Sequence, residues 1–313
     1  MLAENKLPFL PKNYKNHSSK VDDFFIFVKT PNSIKMKKYT TLLLVLLVST
    51  FTLAQKKEKI KGSKIVTIEQ KEIGNFEAIE ISDNLEVYLD RGEKNELKIE
   101  ADDNLHDIIT IDLTAKTLRI NTSKTATNYK KLIVRITYTN ALKMVTSKDE
   151  AIINAIQEIQ LNDITIQSFD DSKLFLNVNT KNFTLQSDND SKTELNLKSE
   201  KSTIELSKNA TLKALITTTD LKCDMYQKSI ANLEGDVTNA NIRLDNNATF
   251  LGNNLAIANA QLIAEGYSNC SINVNTNISI DAAENAEIKL YGDQKIEMLR
   301  FADNAVLSKK PTK

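Results

Sequence analysis

Small side chains recur every 19 residues through the second half of this chain, and this repeat constrains the fold more than any other feature. The members of the series are Ser172, Ser191, Ala210, Ser229 and Ala248. Apolar residues follow most of them at the second and fourth positions, which places those side chains on one face of a strand. A fixed period near 20 with strand alternation, and without a helical pattern, predicts a β-solenoid whose coils stack.

The series continues on both sides of these five positions, at Ala151, Ala286 and Ala305. The place after Ala248 falls on Tyr267, which is not small, so we assign that place to Cys270. This assignment requires three residues inserted before Cys270 and three lost after it. The sequence therefore predicts an all-β fold, a parallel β-helix or β-solenoid with coils of about 19–21 residues.

A corner in each coil explains why the recurring residue is small. The chain enters the core there beside the stacked copies of the same residue, so that only a small side chain fits. Asn or Asp often precedes it, and both tolerate the left-handed backbone of a tight corner. Because stacked strands lie about 4.8 Å apart, the coils from Ala151 to Ala305 predict a rod about 35 Å long.

The chain before the repeat alternates in short segments that are typical of half-buried strands. We interpret residues 55–64 as a lead-in linker and residues 65–148 as an N-terminal β-strand part. Residues 149–313 form the β-solenoid repeats and a C-terminal tail. The stretch from Ile152 to Asp163 is compatible with a helix or with two short strands, and we favour strands because it lies in phase with the repeat.

Residues 36–54 have the three-part pattern of a secretory signal peptide. Two lysines follow Met36, an apolar run extends from Leu42 to Val48, and Ala54 is a small residue suited to cleavage. Because a signal peptide starts a chain, we interpret residues 1–35 as an over-extended N-terminus or a disordered tail. The alternative is an uncleaved anchor behind a cytosolic tail of 35 residues.

The charge balance argues against nucleic acid as a partner, since a nucleic-acid-binding protein needs a basic surface. The first 54 residues hold eight of the 41 Lys and Arg and three of the 41 Asp and Glu, so the remainder has a net charge of −5.

The two cysteines, Cys223 and Cys270, differ in repeat phase. We interpret both as small buried side chains, with a disulfide as the alternative.

Several segments resemble the head GIN domain family of putative autotransporter adhesins, which are exported bacterial proteins. The similarity covers about residues 62–310 and rests on Gly62–Ser63, Phe76–Ile79, Leu85–Leu89, Glu100–Leu105, Thr117–Ile120 and Leu132–Ser147. The resemblance implies a right-handed β-helix, export, and no catalytic residues. The chain differs from the family pattern at its corners, where Asp, Asn or Lys stands in place of glycine.

Four carboxylates form the one candidate metal site. Asp170, Asp171, Asp188 and Asp190 fall at the same corner of adjacent coils. Stacked like charges repel one another, so a calcium ladder is one interpretation. The alternative is a solvated turn whose charges are neutralised by neighbouring lysines, and beyond calcium we expect no cofactor.

His106 is the only histidine after residue 54 and lies within an acidic stretch from Glu100 to Asp107. A lone histidine among carboxylates is a candidate metal ligand or base, but a catalytic site needs convergent partners. We interpret the stretch as a polar turn or a short helical cap. Nucleophile elbows, phosphate loops and Cys-x-x-Cys motifs are absent from the sequence.

The sequence therefore favours an exported, non-catalytic β-solenoid that acts as an adhesin or another envelope-associated binding protein. A periplasmic location, the cell surface and the extracellular space are all compatible with export. The partner is left open between a glycan, an envelope protein, another macromolecule and a second copy of the chain. The alternative function is a β-helical carbohydrate-active enzyme, a polysaccharide lyase or hydrolase. The chain lacks tryptophan, and only 6% of its residues are aromatic, which disfavours stacked sugar subsites.

Overall fold

The computed structural model describes residues 57–311, and this part of the chain is a β-solenoid of about nine turns. The predicted signal peptide at residues 36–54 and the segment 1–35 lie outside the described residues. The N-terminal strands are β1 (Lys59–Lys61), β2 (Val66–Glu72), β3 (Ala78–Ile81), β4 (Glu86–Arg91), β5 (Glu96–Asp102), β6 (Ile109–Thr114), β7 (Thr117–Thr122), β8 (Thr125–Thr127), β9 (Leu132–Tyr138) and β10 (Met144–Ser147).

The later strands are longer, and most of them span nearly a whole coil. They are β11 (Ile152–Ser168), β12 (Lys173–Ser187), β13 (Lys192–Leu206), β14 (Thr211–Met225), β15 (Ile230–Leu244), β16 (Thr249–Ala264), β17 (Asn269–Ala282), β18 (Glu287–Tyr291), β19 (Lys295–Phe301) and β20 (Val306–Lys309). Each strand from β11 to β18 pairs in parallel with a strand of the next coil. The strand interpretation of Ile152 to Asp163 is thus confirmed, and the right-handed sense stays a prediction.

The spatial order of the first coils differs from the order along the chain. β3 lies between β7 and β10, and β4 lies between β9 and β11, in each case with parallel pairing. The chain therefore starts at one end of the stack with β2, enters the stack with β3 and β4, and returns to that end with β5 to β7. It then runs back through β9 and β10 into the long coils. The strands on either side of residue 149 consequently belong to one continuous sheet.

Each long strand consists of two straight segments that meet at a bend. In β12 the bend falls at Lys181–Asn182, where two successive side chains are exposed and the alternation of burial changes phase. We call the segments before the bend the first face and those after it the second face. Inward side chains of both faces pack into one core that runs the length of the stack.

The small residues of the repeat lie at the predicted corner. Ser172, Ser191, Ala210, Ser229 and Ala248 are all fully buried. Backbone hydrogen bonds link this corner from coil to coil, for example from Thr211 N–H to Ser191 C=O and from Ile230 N–H to Ala210 C=O, both at 2.9 Å. The steric interpretation of the repeat is therefore consistent with the packing.

The assignment of Cys270 to this series was wrong, because Ser268 occupies that place. Ser268 is buried, and the pairing of Thr249 with Asn269 sets it directly beside Ala248. Cys270 lies two residues further on, between Phe250 and the next coil. The coil before Ser268 has one extra residue and the coil after it has one fewer, because the register shifts within β16 and β17 rather than at the corner.

The corner residue two places before each small residue has a left-handed backbone. Examples are Asp170, Asn189 and Asn246, with φ of 59°, 59° and 52°. Gly266 stands two places before Ser268 with φ of 67°, which supports the corrected register. Lys208 and Gln227 also adopt this backbone, so stacking overrides residue preference on some coils.

Antiparallel strands close the N-terminal end of the stack. β5 pairs with β9 and with β2, and β6 pairs with β7, all antiparallel.

The buried Asp102 carboxylate accepts hydrogen bonds from the backbone N–H groups of Lys64 at 2.8 Å, Lys131 at 3.0 Å and Lys130 at 3.1 Å. Burial acts to raise the pKa of Asp102, but these bonds hold it below its ordinary value. Gly62 is needed here because a Cβ would clash with this carboxylate and with the backbone of Tyr129.

Cys223 and Cys270 are free thiols inside the core, as the small-side-chain interpretation predicts. Burial raises the pKa of both thiols, which leaves them unreactive at neutral pH. No helix within residues 57–311 has the length and apolar character needed to cross a membrane.

Candidate functional site: an amide-lined groove

A long groove runs along the second face, just after the bend, and encloses about 920 Å³. It crosses six successive strands, from β13 to β17 and on to β19. At about 4.8 Å per rung, its five steps give a length of about 24 Å. The groove therefore has the dimensions of a site for an extended polymer rather than for a compact small molecule.

One wall of the groove is a column of side chains at the bend, aligned by the strand register. Its members are Lys201, Asp220, Asn239, Asn259, Asn277 and Lys295. Each asparagine donates from Nδ2 to Oδ1 of the preceding rung. The distances are 3.0 Å from Asn239 to Asp220, 3.3 Å from Asn259 to Asn239, and 3.0 Å from Asn277 to Asn259. We call these four residues the amide column.

The side chains of the amide column are held in a fixed direction, but not all of their hydrogen-bonding groups are used. A side-chain amide has two N–H donors and an oxygen with two lone pairs, and each rung-to-rung bond uses one donor and one acceptor site. Each asparagine therefore keeps hydrogen-bonding capacity toward the groove. Because the bonds fix the side chains in one direction, little rotamer entropy is left to lose when a ligand binds.

Strand alternation also shapes the floor and the far wall. The residue after each column member points inward and is mostly apolar, and it is small in the middle of the groove, at Ala240 and Ala260. The next residue points outward again and forms the far wall, which consists of Thr203, Lys222, Asn241, Gln261, Ser279 and Glu297. The middle of the groove, on β15 to β17, thus combines an apolar floor with walls of neutral hydrogen-bonding groups.

The charged residues of the groove lie at its two ends, with Lys201, Asp220 and Lys222 at one end and Lys295 and Glu297 at the other. Its two carboxylates, Asp220 and Glu297, are four rungs apart, about 19 Å along the axis. Glycoside hydrolysis needs two carboxyl groups within about 5 to 9.5 Å of each other. Lys222 is held 2.7 Å from Asp224, which raises the pKa of its ammonium group. The groove is therefore suited to binding and poorly suited to general acid–base chemistry.

A second, smaller groove of about 590 Å³ lies on the first face. It contains three exposed apolar side chains, Ile156, Phe175 and Leu215, beside charged residues such as Glu194 and Lys213. Asn196 donates to Asn177 Oδ1 at 3.1 Å there, but this amide bond links only two rungs. Compared with the amide-lined groove, this one lacks a continuous polar column.

The four predicted acidic residues share one corner on two adjacent rungs, but protein groups already occupy two of the carboxylates. Asp188 accepts from Lys208 Nζ at 2.8 Å and from Ser207 Oγ at 2.9 Å. Burial acts to raise the pKa of Asp188, but these partners hold it below its ordinary value. Asp170 accepts from Asn189 Nδ2 at 2.9 Å. Within residues 57–311, no three His, Cys, Asp or Glu side chains converge as a metal site.

We therefore expect calcium to leave the melting temperature of the protein unchanged. Asp188 is already neutralised by Lys208, and a bound ion would stabilise the fold only if it bound the native state selectively. Thermal melting with and without millimolar calcium, on the native protein and on Asp171→Asn, measures this. A rise in the native protein that is absent from the variant would establish the calcium ladder instead.

His106 lies in a 3-10 helix, Asp103–Ile108, which confirms the short helical cap expected from its sequence. Its Nε2 lies 2.9 Å from Thr67 Oγ1, and its Nδ1 lies 3.3 Å from the Glu69 carboxylate. Both partners belong to β2, so the imidazole joins the helix to the strand that closes this end of the stack. A structural role accounts for all of these contacts.

Sequence reasoning missed the amide column, although a signal for it existed. Asn239 follows Asp220 by 19 residues, and Asn259 and Asn277 follow at intervals of 20 and 18. The abundance of asparagine was assigned to the corners. From Asp220 to Asn277 the bend contains no glycine or proline that would have marked it as a second place where side chains stack.

Comparison with known proteins agrees with this architecture. The family model described as "Putative auto-transporter adhesin, head GIN domain" matches residues 75–293. No curated protein sequence matches the chain.

Three solved structures share the fold at low sequence identity. A putative adhesin from Parabacteroides merdae is 17% identical with a TM-score of 0.58, and the match covers 81% of this chain and 99% of that chain. A putative adhesin from Parabacteroides distasonis is 13% identical with a TM-score of 0.58, covering 81% and 100%. A putative lipid binding protein from Parabacteroides distasonis is 14% identical with a TM-score of 0.52, covering 82% and 100%.

Proposed function

This chain belongs to the head GIN domain family of putative auto-transporter adhesins, and from that premise we propose that it is an exported, non-catalytic module that binds an envelope or surface glycan. The amide column is the observation that carries the proposal. Asp220, Asn239, Asn259 and Asn277 present the same polar groups at a constant spacing along an open groove. A regular polymer is the kind of ligand that such a regular array fits.

The chemistry of the walls favours a neutral, hydroxyl-rich polymer. Asparagine, glutamine, serine and threonine side chains both donate and accept hydrogen bonds, as sugar hydroxyls do. An anionic polymer would require a row of basic groups, but two of the three groove lysines stand at the ends of the column, and the third is paired with Asp224. The apolar floor between the walls suits the C–H face of a sugar ring.

Export rests on the sequence and on the family. The signal-peptide pattern of residues 36–54 predicts secretion, and the family is described as one of auto-transporter adhesins. Two of the solved structures with the same fold are named putative adhesins as well. We propose a location in the periplasm, at the cell surface or outside the cell, where glycans are accessible.

We expect the protein to retain at least one polysaccharide without cleaving it, because the two groove carboxylates are too far apart to act as a catalytic pair. A glycan array identifies the ligand, and an assay for new reducing ends on the retained polysaccharide tests cleavage. A lyase would also release unsaturated products, which ultraviolet absorbance detects. New chain ends by either assay would favour the carbohydrate-active enzyme over a binding module.

A further inference from the structure

The C-terminal end of the stack is open in the part of the chain that the structure describes. β19 pairs with β17 on one side, β20 pairs with β18 on one side, and within residues 57–311 no strand pairs with their other sides. The outer edges of both strands therefore present backbone N–H and C=O groups that no described strand satisfies. An open edge of this kind is a template for pairing with another chain.

At this end, side chains that point into the core are exposed because no further described coil covers them. Ile296 continues the inward column of Ile278, yet Ile296 is 46% exposed whereas Ile278 is 1% exposed. Other large apolar side chains on the last rungs are also exposed, namely Met298, Leu299, Phe301 and Val306. Single exposed apolar side chains are common on protein surfaces, but a group of adjacent ones indicates an interaction surface.

The geometry points to a second copy of the chain as the occupant. The opposite end of the stack is built differently, because its outermost strands β2 and β6 pair antiparallel with β5 and β7. That end therefore does not offer the parallel coil that the open end would continue head to tail. Contact between two open ends is isologous and closes as a two-fold dimer. We propose that the protein forms a dimer through the ends formed by β19 and β20.

The two ends have complementary shapes. The second face stops at β19, whereas the first face continues for one more strand, β20, so the end is a step. A two-fold axis can place the first face of each molecule opposite the second face of the other. In that arrangement β20 of each molecule lies over β19 of the other, and each β20 fills the step left by the shorter face. Strands on opposite faces run in opposite directions, so each of these two contacts is an antiparallel pair with open hydrogen-bonding groups on both sides.

The size of the end predicts a dimer of moderate affinity. A seven-residue strand is about 23 Å long and packed sheets lie about 10 Å apart, so the end with its side chains offers roughly 500 Å² per copy. The total of about 1,000 Å² lies at the lower limit for specific interfaces. β19 also contains a bulge at Leu299, which leaves one residue of the new strand pair unmatched and limits the affinity further.

Sedimentation velocity of the protein at concentrations from micromolar to hundreds of micromolar tests the proposal. We expect the dimer fraction of the native protein to rise with concentration. Leu299→Glu should remain monomeric, because Leu299 is 63% exposed in one molecule and the dimer would bury the new charge without a partner. Leu299 is outside the amide-lined groove, so its loss separates dimerisation from glycan binding. Circular dichroism establishes that the variant is folded.

Leu215→Glu is the matched control, because Leu215 is an exposed leucine on the first face in the middle of the stack. It should dimerise like the native protein. A native protein that stays monomeric at the highest concentration would overturn the proposal. So would assemblies larger than a dimer, or a Leu299→Glu variant that dimerises normally.

Discussion

Leucine in place of Ala210 will lower the free energy of unfolding by about 3 kcal/mol or more, which is the upper part of the range for overpacked cores. Ala210 is fully buried at the corner, with Ser191 on the preceding coil and Ser229 on the next. The added atoms have no direction in which to relax, because backbone hydrogen bonds fix the distance between coils on both sides. Thermal or denaturant unfolding measures the change, which corresponds to about 6 to 12 °C in melting temperature.

The matched control is Ala210→Ser, since serine occupies the same place on neighbouring coils. It should cost less than about 1.5 kcal/mol, mainly for burying one hydroxyl. The converse change, Ser229→Ala, should be neutral or stabilising because the buried Ser229 hydroxyl has no hydrogen-bond partner among the described residues. Equal stability of Ala210→Leu and Ala210→Ser would mean that the small residue is not a packing requirement.

The period of the sequence was sufficient to predict the coil and its corner. Alternation around Ser172 and Ser191 specified which side chains face inward, and the structure confirms both the burial and the left-handed corner before them. These features depend on residues close together in the chain. A local sequence pattern therefore contains the information that they require.

The prediction failed where the register changes inside a strand. One extra residue in β16, near Gly252, moves the next small residue to Ser268, and the shorter coil that follows restores the period at Ala286. A single sequence does not indicate where such a bulge occurs. Cys270 was therefore chosen in place of Ser268. The amide column was missed for a related reason, because Asn259 and Asn277 align with Asn239 only after these shifts are known.

The order of the N-terminal strands was also beyond a local pattern. Period-two alternation identifies β3 and β7 as strands, but it does not specify that β3 inserts between β7 and β10. Pairing partners are determined by the packing of the whole stack. For the same reason, the closed N-terminal end and the open C-terminal end became evident only in the structure.

The amide column is expected to provide much of the binding free energy for the glycan. The double variant Asn239→Leu/Asn259→Leu removes two amides from the middle of the groove and interrupts the rung-to-rung bonds of the column. Each of the two amides keeps one N–H and one oxygen lone pair for the ligand. At about 0.5 to 1.5 kcal/mol per hydrogen bond, losing four such bonds should cost at least about 2 kcal/mol. That corresponds to a dissociation constant roughly 30-fold higher.

Asn196→Leu is the matched control for this change. Asn196 is an exposed asparagine that also donates to an asparagine of the preceding rung, but it lies on the first face, in the smaller groove. The substitution has the same chemistry at a site that the proposed ligand does not contact. It should leave the dissociation constant unchanged.

Binding isotherms of the retained polysaccharide against the native protein, Asn239→Leu/Asn259→Leu and Asn196→Leu test the central claim most directly. The account predicts at least a 30-fold weaker interaction for the double variant, about 2 kcal/mol at 1.4 kcal/mol per tenfold, and native affinity for the control. Native affinity in the double variant, or a loss confined to Asn196→Leu, would contradict the assignment of the amide-lined groove as the binding site.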